Sequence, residues 1–68
     1  MIKSFHLREK EKILKKYCDF GDLKNAKIQL EKIQMSGFYR EGTLEHILQR
    51  LPKENIYMEK WIEGEMRK

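Results

Sequence analysis

The chain has 68 residues, 40% of them apolar and 38% charged, with 15 Lys/Arg against 11 Asp/Glu for a net charge of +4. That is too apolar for a disordered segment, so a folded chain is expected, read as one small domain over residues 1–68. A chain this short buries only about 60% of the surface its unfolded form exposes. Below roughly 70–80 residues one core seldom supplies more than about 3–5 kcal/mol without a disulfide, a metal or a partner. The lone Cys18 excludes an intramolecular disulfide and, with two histidines, leaves no zinc set. No cofactor or metal is therefore expected, and stability points to self-association or partner binding. The first residues, MIKSFHLREKEKILKK, hold no apolar run of signal-peptide length, and no stretch approaches the 18 residues of a membrane span. With the unpaired thiol, this reads as a cytoplasmic protein.

In chain order, Ser4 is a candidate N-cap for a first helix running to Tyr17 or Cys18, and Gly21 falls where a left-handed C-terminal residue belongs. Asp22 is a good N-cap for a second helix from Leu23 to Met35, with Gly37 as its stop. The third spans Thr43 to Leu51, ended by Pro52. A fourth is capped by Asn55, or begins at Lys53 with Pro52 in its first turn. No stretch alternates apolar and polar residues as a half-buried strand does. The fold class expected is all-α, a compact three- or four-helix bundle built on a helical hairpin.

Projection at about 100° per residue assigns the faces. On the first helix Leu7, Leu14, Tyr17 and Cys18 fall together, flanked by Ile13, opposite Arg8, Lys12, Lys15 and Lys16. The third aligns Leu44, Ile47, Leu48 and Leu51, and the fourth spreads Met58, Trp61, Ile62 and Met66 over a wider arc. On the second, Leu23, Ala26, Leu30 and Ile33 form one seam, while Ile28 and Met35 project to nearly the opposite side. A helix sandwiched between neighbours explains the two faces, and so does one whose second face meets a partner.

The stretch GDLKNAKIQLEKIQMSG, through Gly21, Asp22, Ala26 and Gly37, resembles one hairpin unit of the tetratricopeptide or pentatricopeptide kind and covers about a quarter of the chain. Such arrays need about three stacked units, and this chain holds one. The resemblance implies a tight helical corner.

Net charge concentrates early: residues 1–21 hold six Lys/Arg against three Asp/Glu, and residues 22–36 three against two, while the rest is balanced. A patch of this kind suits nucleic-acid phosphates, whose neutralisation releases counterions. Equally, it suits a solvated helix exterior diluted by Glu9 and Glu11. Seven residues, 36–42, separate the second and third helices, more than the three or four of a helix-turn-helix. The tight turn at Gly21 leads instead to a helix presenting Lys24, Asn25, Lys27 and Gln29, which keeps groove binding open.

No catalytic pattern emerges. His6 and Cys18 lie about 18 Å apart along one helix, too far for a thiolate–base pair. Cys18 on an apolar stripe reads as a small core residue. Glu59, Glu63 and Glu65 lack a histidine at metal spacing and read as an exposed face, and there is no Gly-rich phosphate loop. The chain is expected not to be an enzyme.

Four methionines and a set of aromatics favour an interface, because such side chains provide adaptable or rigid contact area. The resulting expectation is a small regulatory or adaptor protein that inhibits or recruits a larger protein through an apolar helical face. Its expected anchors are Ile28 and Met35, surrounded by Phe38, Tyr39, Tyr57 and Trp61, with Arg40 at the rim. Trp61 is alternatively core, and Phe38 and Tyr39 alternatively a lid folded back on the helices. A homodimer is a further option. The alternative function is a nucleic-acid-binding regulator using Arg8, Lys12, Lys15, Lys16, Lys24 and Lys27 on the first two helices. The Lys- and Ile-rich composition is of the kind that AT-rich bacterial and phage genomes encode.

Overall fold

The computed structural model describes residues 2–37 and 39–68, with side chains from His6 onward. Four helices follow in order, α1 (Ile2–Asp19), α2 (Leu23–Met35), α3 (Thr43–Arg50) and α4 (Ile56–Met66), and no strand occurs among the described residues. The α carbons occupy about 36 × 23 × 20 Å.

Nothing between Ile2 and Ser4 breaks a helix, and a serine in the interior costs only a few tenths of a kcal/mol. Hence α1 runs straight through Ser4, which is not its cap. At the other end the chain reverses in three residues. Gly21 takes the left-handed conformation (φ 72°), its N–H donates to the Cys18 carbonyl (3.1 Å), and the Asp22 N–H donates to that of Tyr17 (2.8 Å). This paired closure is the Schellman pattern, and glycine is the residue that enters it without a Cβ penalty. One Asp22 carboxylate oxygen then accepts from the Asn25 N–H at 3.2 Å and the other from the Asn25 side-chain amide at 2.7 Å, opening α2 where the sequence places it.

The α2–α3 connection occupies residues 36–42. Gly42 (φ 87°) stands at the N-cap of α3 with no side chain to offer, and Thr43 is the first helical residue. α3 ends at Arg50, since the residue before Pro52 is pushed to extended backbone, and Leu51 has ψ 141°. α4 starts neither at Lys53 nor under a side-chain cap. Asn55 holds the N-cap position without a side-chain cap bond, and its amide nitrogen donates to the Cys18 carbonyl at 2.7 Å, a partner 37 residues away.

α1 packs chiefly on α2 and α3 on α4, with α1 meeting α3 between the pairs. The core is Leu7, Leu14 and Cys18 from α1, Ala26, Leu30 and Ile33 from α2, Leu44 and Ile47 from α3, and Met58 and Ile62 from α4. Tyr17, Leu23, Tyr39, Leu48, Leu51 and Trp61 close its edges. Met66 stays exposed at the end of α4, although the helical projection places it on the packing arc. Gln29 is buried beside α1, its amide donating to the Lys10 carbonyl at 3.3 Å. Among the described residues, no buried side-chain polar atom lacks a hydrogen-bond partner.

Candidate functional site

Two surfaces stand out, one apolar and one cationic. α2 buries a single face: no helix covers Ile28 (45% exposed) or Met35 (79%), so the sandwich expectation fails. Four helices this short form two packed pairs, and the second face of α2 is left in solvent. Of the other expected anchors, Tyr57 is 83% exposed, whereas Trp61 and Tyr39 are partly buried against the core. Tyr39 is thus the lid of the alternative reading. Its phenol pKa is pushed up by burial first, then by the nearby carboxylates of Glu65 and Glu11. Glu65 is correspondingly part-buried and paired with Lys68 (2.9 Å), while Glu59 and Glu63 are the exposed members of that acidic group. Phe38 lies outside the described residues.

Two exposed apolar residues escaped the helical projections. Phe20 is 84% exposed in the α1–α2 turn, and Ile56 opens α4 in solvent. The turn and the start of α4 meet, because Asn55 bonds the Cys18 carbonyl and a Cβ on Gly21 would sit 3.6 Å from the Asn55 amide. Phe20, Ile56 and Tyr57 therefore share one end of the molecule. The signal for Phe20 was present: a large apolar residue directly before the reversing glycine belongs to no helical face.

The cationic surface is a groove of about 540 Å³ between α1 and α3. Arg8, Lys12 and Lys15 line one side, His46 and Arg50 the other, and Arg40 closes it from the α2–α3 connection, with Glu11 and Glu41 as the carboxylates lining it among the described residues. Glu11 accepts a long hydrogen bond from the Thr43 hydroxyl (3.4 Å), and Glu9, just outside, pairs loosely with Lys12 (3.8 Å). Three of the six basic residues grouped by sequence, Arg8, Lys12 and Lys15, thus face α3, while Lys16, Lys24 and Lys27 lie outside the groove. Arg40, expected at the rim of an apolar interface, belongs to this cationic set. Sequence reasoning missed His46 and Arg50 as partners of α1 because nothing local indicates that α3 packs there.

Cys18 is fully buried, and that burial, aided by the adjacent Asp19 carboxylate, pushes its thiol up to about 12. It is held as a neutral core group. Among the described residues, no three His, Cys, Asp or Glu side chains come together to hold a metal, and no helix is long and apolar enough to cross a membrane. No protein-family model, no curated protein and no solved structure matches the chain.

Proposed function

We infer that this is a small cytoplasmic, non-enzymatic adaptor or regulatory protein, a four-helix bundle on an α1–α2 hairpin, which binds a larger protein through exposed apolar side chains. The observation behind this reading is the placement of Phe20 and Tyr57, the two most exposed large apolar residues among those described, at the same end of the molecule, joined there by Ile56. Scattered exposed apolar residues are ordinary on a monomer; a gathered set of aromatic ones is the composition of a contact patch. Ile28 and Met35 are further exposed apolar residues, on the second face of α2. Trp61 and Tyr39 serve the reading indirectly, by holding the elements that present the patch. The partner is expected to offer an apolar pocket, since ring insertion into a water-excluding site is what makes Tyr and Phe contacts strong.

The test uses the purified chain and its Phe20→Asp/Tyr57→Asp double variant, with helix content checked by circular dichroism. A host protein that binds the wild type directly and is lost in the double variant supports the reading. A partner retained by the folded double variant overturns it. Light scattering that shows a concentration-dependent dimer, abolished in the double variant, also overturns it, because the patch is then covered by a second copy.

A further inference from the structure

We propose that the α1–α3 groove holds the phosphate backbone of a nucleic acid, engaging phosphates and leaving the bases unread. This site is separate from the apolar end carrying Phe20 and Tyr57, and either proposal can fail without the other.

Charge is arranged in two facing rows. Arg8, Lys12 and Lys15 lie at i, i+4 and i+7, a row of about 10 Å along α1 at 1.5 Å per residue. His46 and Arg50, one turn apart on α3, form the facing row, and Arg40 closes the groove from the connection. Five permanent cations therefore face two carboxylates across one concave surface. Each strand of a duplex offers one phosphate per 3.4 Å of axis, so a row this long faces about three of them. A single small anion would use only part of it.

The chemistry of the lining decides what is read. Three of the five cations are arginines, whose planar guanidinium grips phosphate oxygens in a bidentate manner. Among the described residues the one ring lining the groove is the His46 imidazole, and no Phe, Tyr or Trp offers the broad platform on which successive bases stack. The contacts are of the kind that positions a nucleic acid without specifying its sequence. The carboxylates do not cancel the cations. Glu9, just outside the groove, meets Lys12 at 3.8 Å between exposed side chains, a pair contributing little in water, Glu11 is turned to the Thr43 hydroxyl, and Glu41 remains as one lining carboxylate against five cations.

The experiment measures fluorescence anisotropy of a labelled 20-base-pair mixed-sequence duplex titrated with the full chain between about 0.05 and 0.2 M salt. At about 0.15 M, binding in the range of roughly 1–100 µM is expected, with a log–log salt slope of about −3 for three neutralised phosphates. A second duplex of unrelated sequence is expected to bind within about twofold, as backbone contacts carry no sequence information. The Arg8→Glu/Arg50→Glu variant is expected to bind at least about tenfold more weakly with a flatter slope, while Lys24→Glu/Lys27→Glu, the same charge change outside the groove, loses less than about twofold. Arg8→Gln/Arg40→Gln repeats the first arm without reversing charge, should the Glu pair disturb folding. No binding at the lowest salt, equal losses for groove and non-groove pairs, or unchanged affinity in both groove variants each overturns the proposal. Discrimination of about tenfold or more between the two duplexes overturns it for the bases. Binding of sodium tripolyphosphate at the groove, with none of DNA, assigns the site to a small anion and overturns it likewise.

Discussion

The side-chain amide of Asn55 donates to the Cys18 carbonyl at 2.7 Å, tying the start of α4 to the end of α1 across 37 residues of sequence. The same carbonyl accepts the Gly21 N–H at 3.1 Å, so one oxygen joins the reversing turn and the fourth helix. Asn55→Ala removes the tie and leaves the carbonyl partly satisfied, an expected loss of about 1 kcal/mol. Gly21→Ala is expected to cost about 1–2 kcal/mol, because the left-handed backbone there penalises a Cβ whatever space surrounds it. Urea denaturation of both variants checks the pair. A neutral Asn55→Ala would show that the bond does not anchor α4.

Cys18 predicts an alkaline weakness. The buried thiol stays neutral up to about 12, while the unfolded thiol ionises from about 9.0. Its contribution is complete below pH 9 and is lost as pH rises from there toward 12, by about 1.4 kcal/mol per pH unit. Cys18→Ala costs stability at neutral pH through the small cavity it leaves, yet flattens the decline above pH 9. Parallel denaturation curves of the two proteins at pH 8 and pH 10.5 measure the difference in slope. In the native state the thiol is expected to react with an aromatic disulfide reagent only as fast as the fold opens.

Tyr39 adds to the same decline from a separate site. Burial and the carboxylates of Glu65 and Glu11 raise its phenol, so the folded state favours the neutral form. That contribution is intact below the unfolded pKa near 10 and disappears as pH climbs through the raised value. Tyr39→Phe keeps the ring against the core and cannot ionise. It should match the wild type at pH 7 and lose less stability by pH 11, measured by thermal melts.

The two aromatics of α4 should separate cleanly. Trp61→Ala removes a ring packed on the core and is expected to cost about 2–3 kcal/mol, whereas Tyr57→Ala stays within about 0.5 kcal/mol. On α2 the same contrast holds, with Ile33→Ala costing about 2–4 kcal/mol and Met35→Ala nearly nothing. Equal losses within either pair would place the exposed partner in the core.

Much of the local structure was legible in residue order. Leu23–Met35 was bracketed by Gly21, Asp22 and Gly37, each acting within a turn of its own position. The apolar stripes of α1 and α3 became core, since a period of about 3.6 residues leaves one face to bury. Ser4 and Asn55 show where local rules stop. Ser4 was overruled by helix-compatible neighbours, and Asn55, although at the N-cap position, orients its side chain to a distant carbonyl and not to its own helix. Of the candidate surfaces, the sequence set Ile28 and Met35 off the α2 seam and Trp61 on the packing arc of α4, but whether a neighbouring helix covers that second face of α2 was not legible in it.

What the residue order determined by itself was the all-helical class, the turn at Gly21 and the split of α1 into an apolar and a basic side, because periodicity, caps and left-handed glycines act over three to five neighbours. Tertiary structure alone decided that α3, and not α2, faces Arg8, Lys12 and Lys15, that Gln29 is buried against α1, and that Phe20 and Tyr57 share an end. These depend on residues far apart in the chain finding each other, 19 positions for Gln29 and Lys10 and 37 for Asn55 and Cys18, and such pairings are settled by which faces exclude water together when the helices pack.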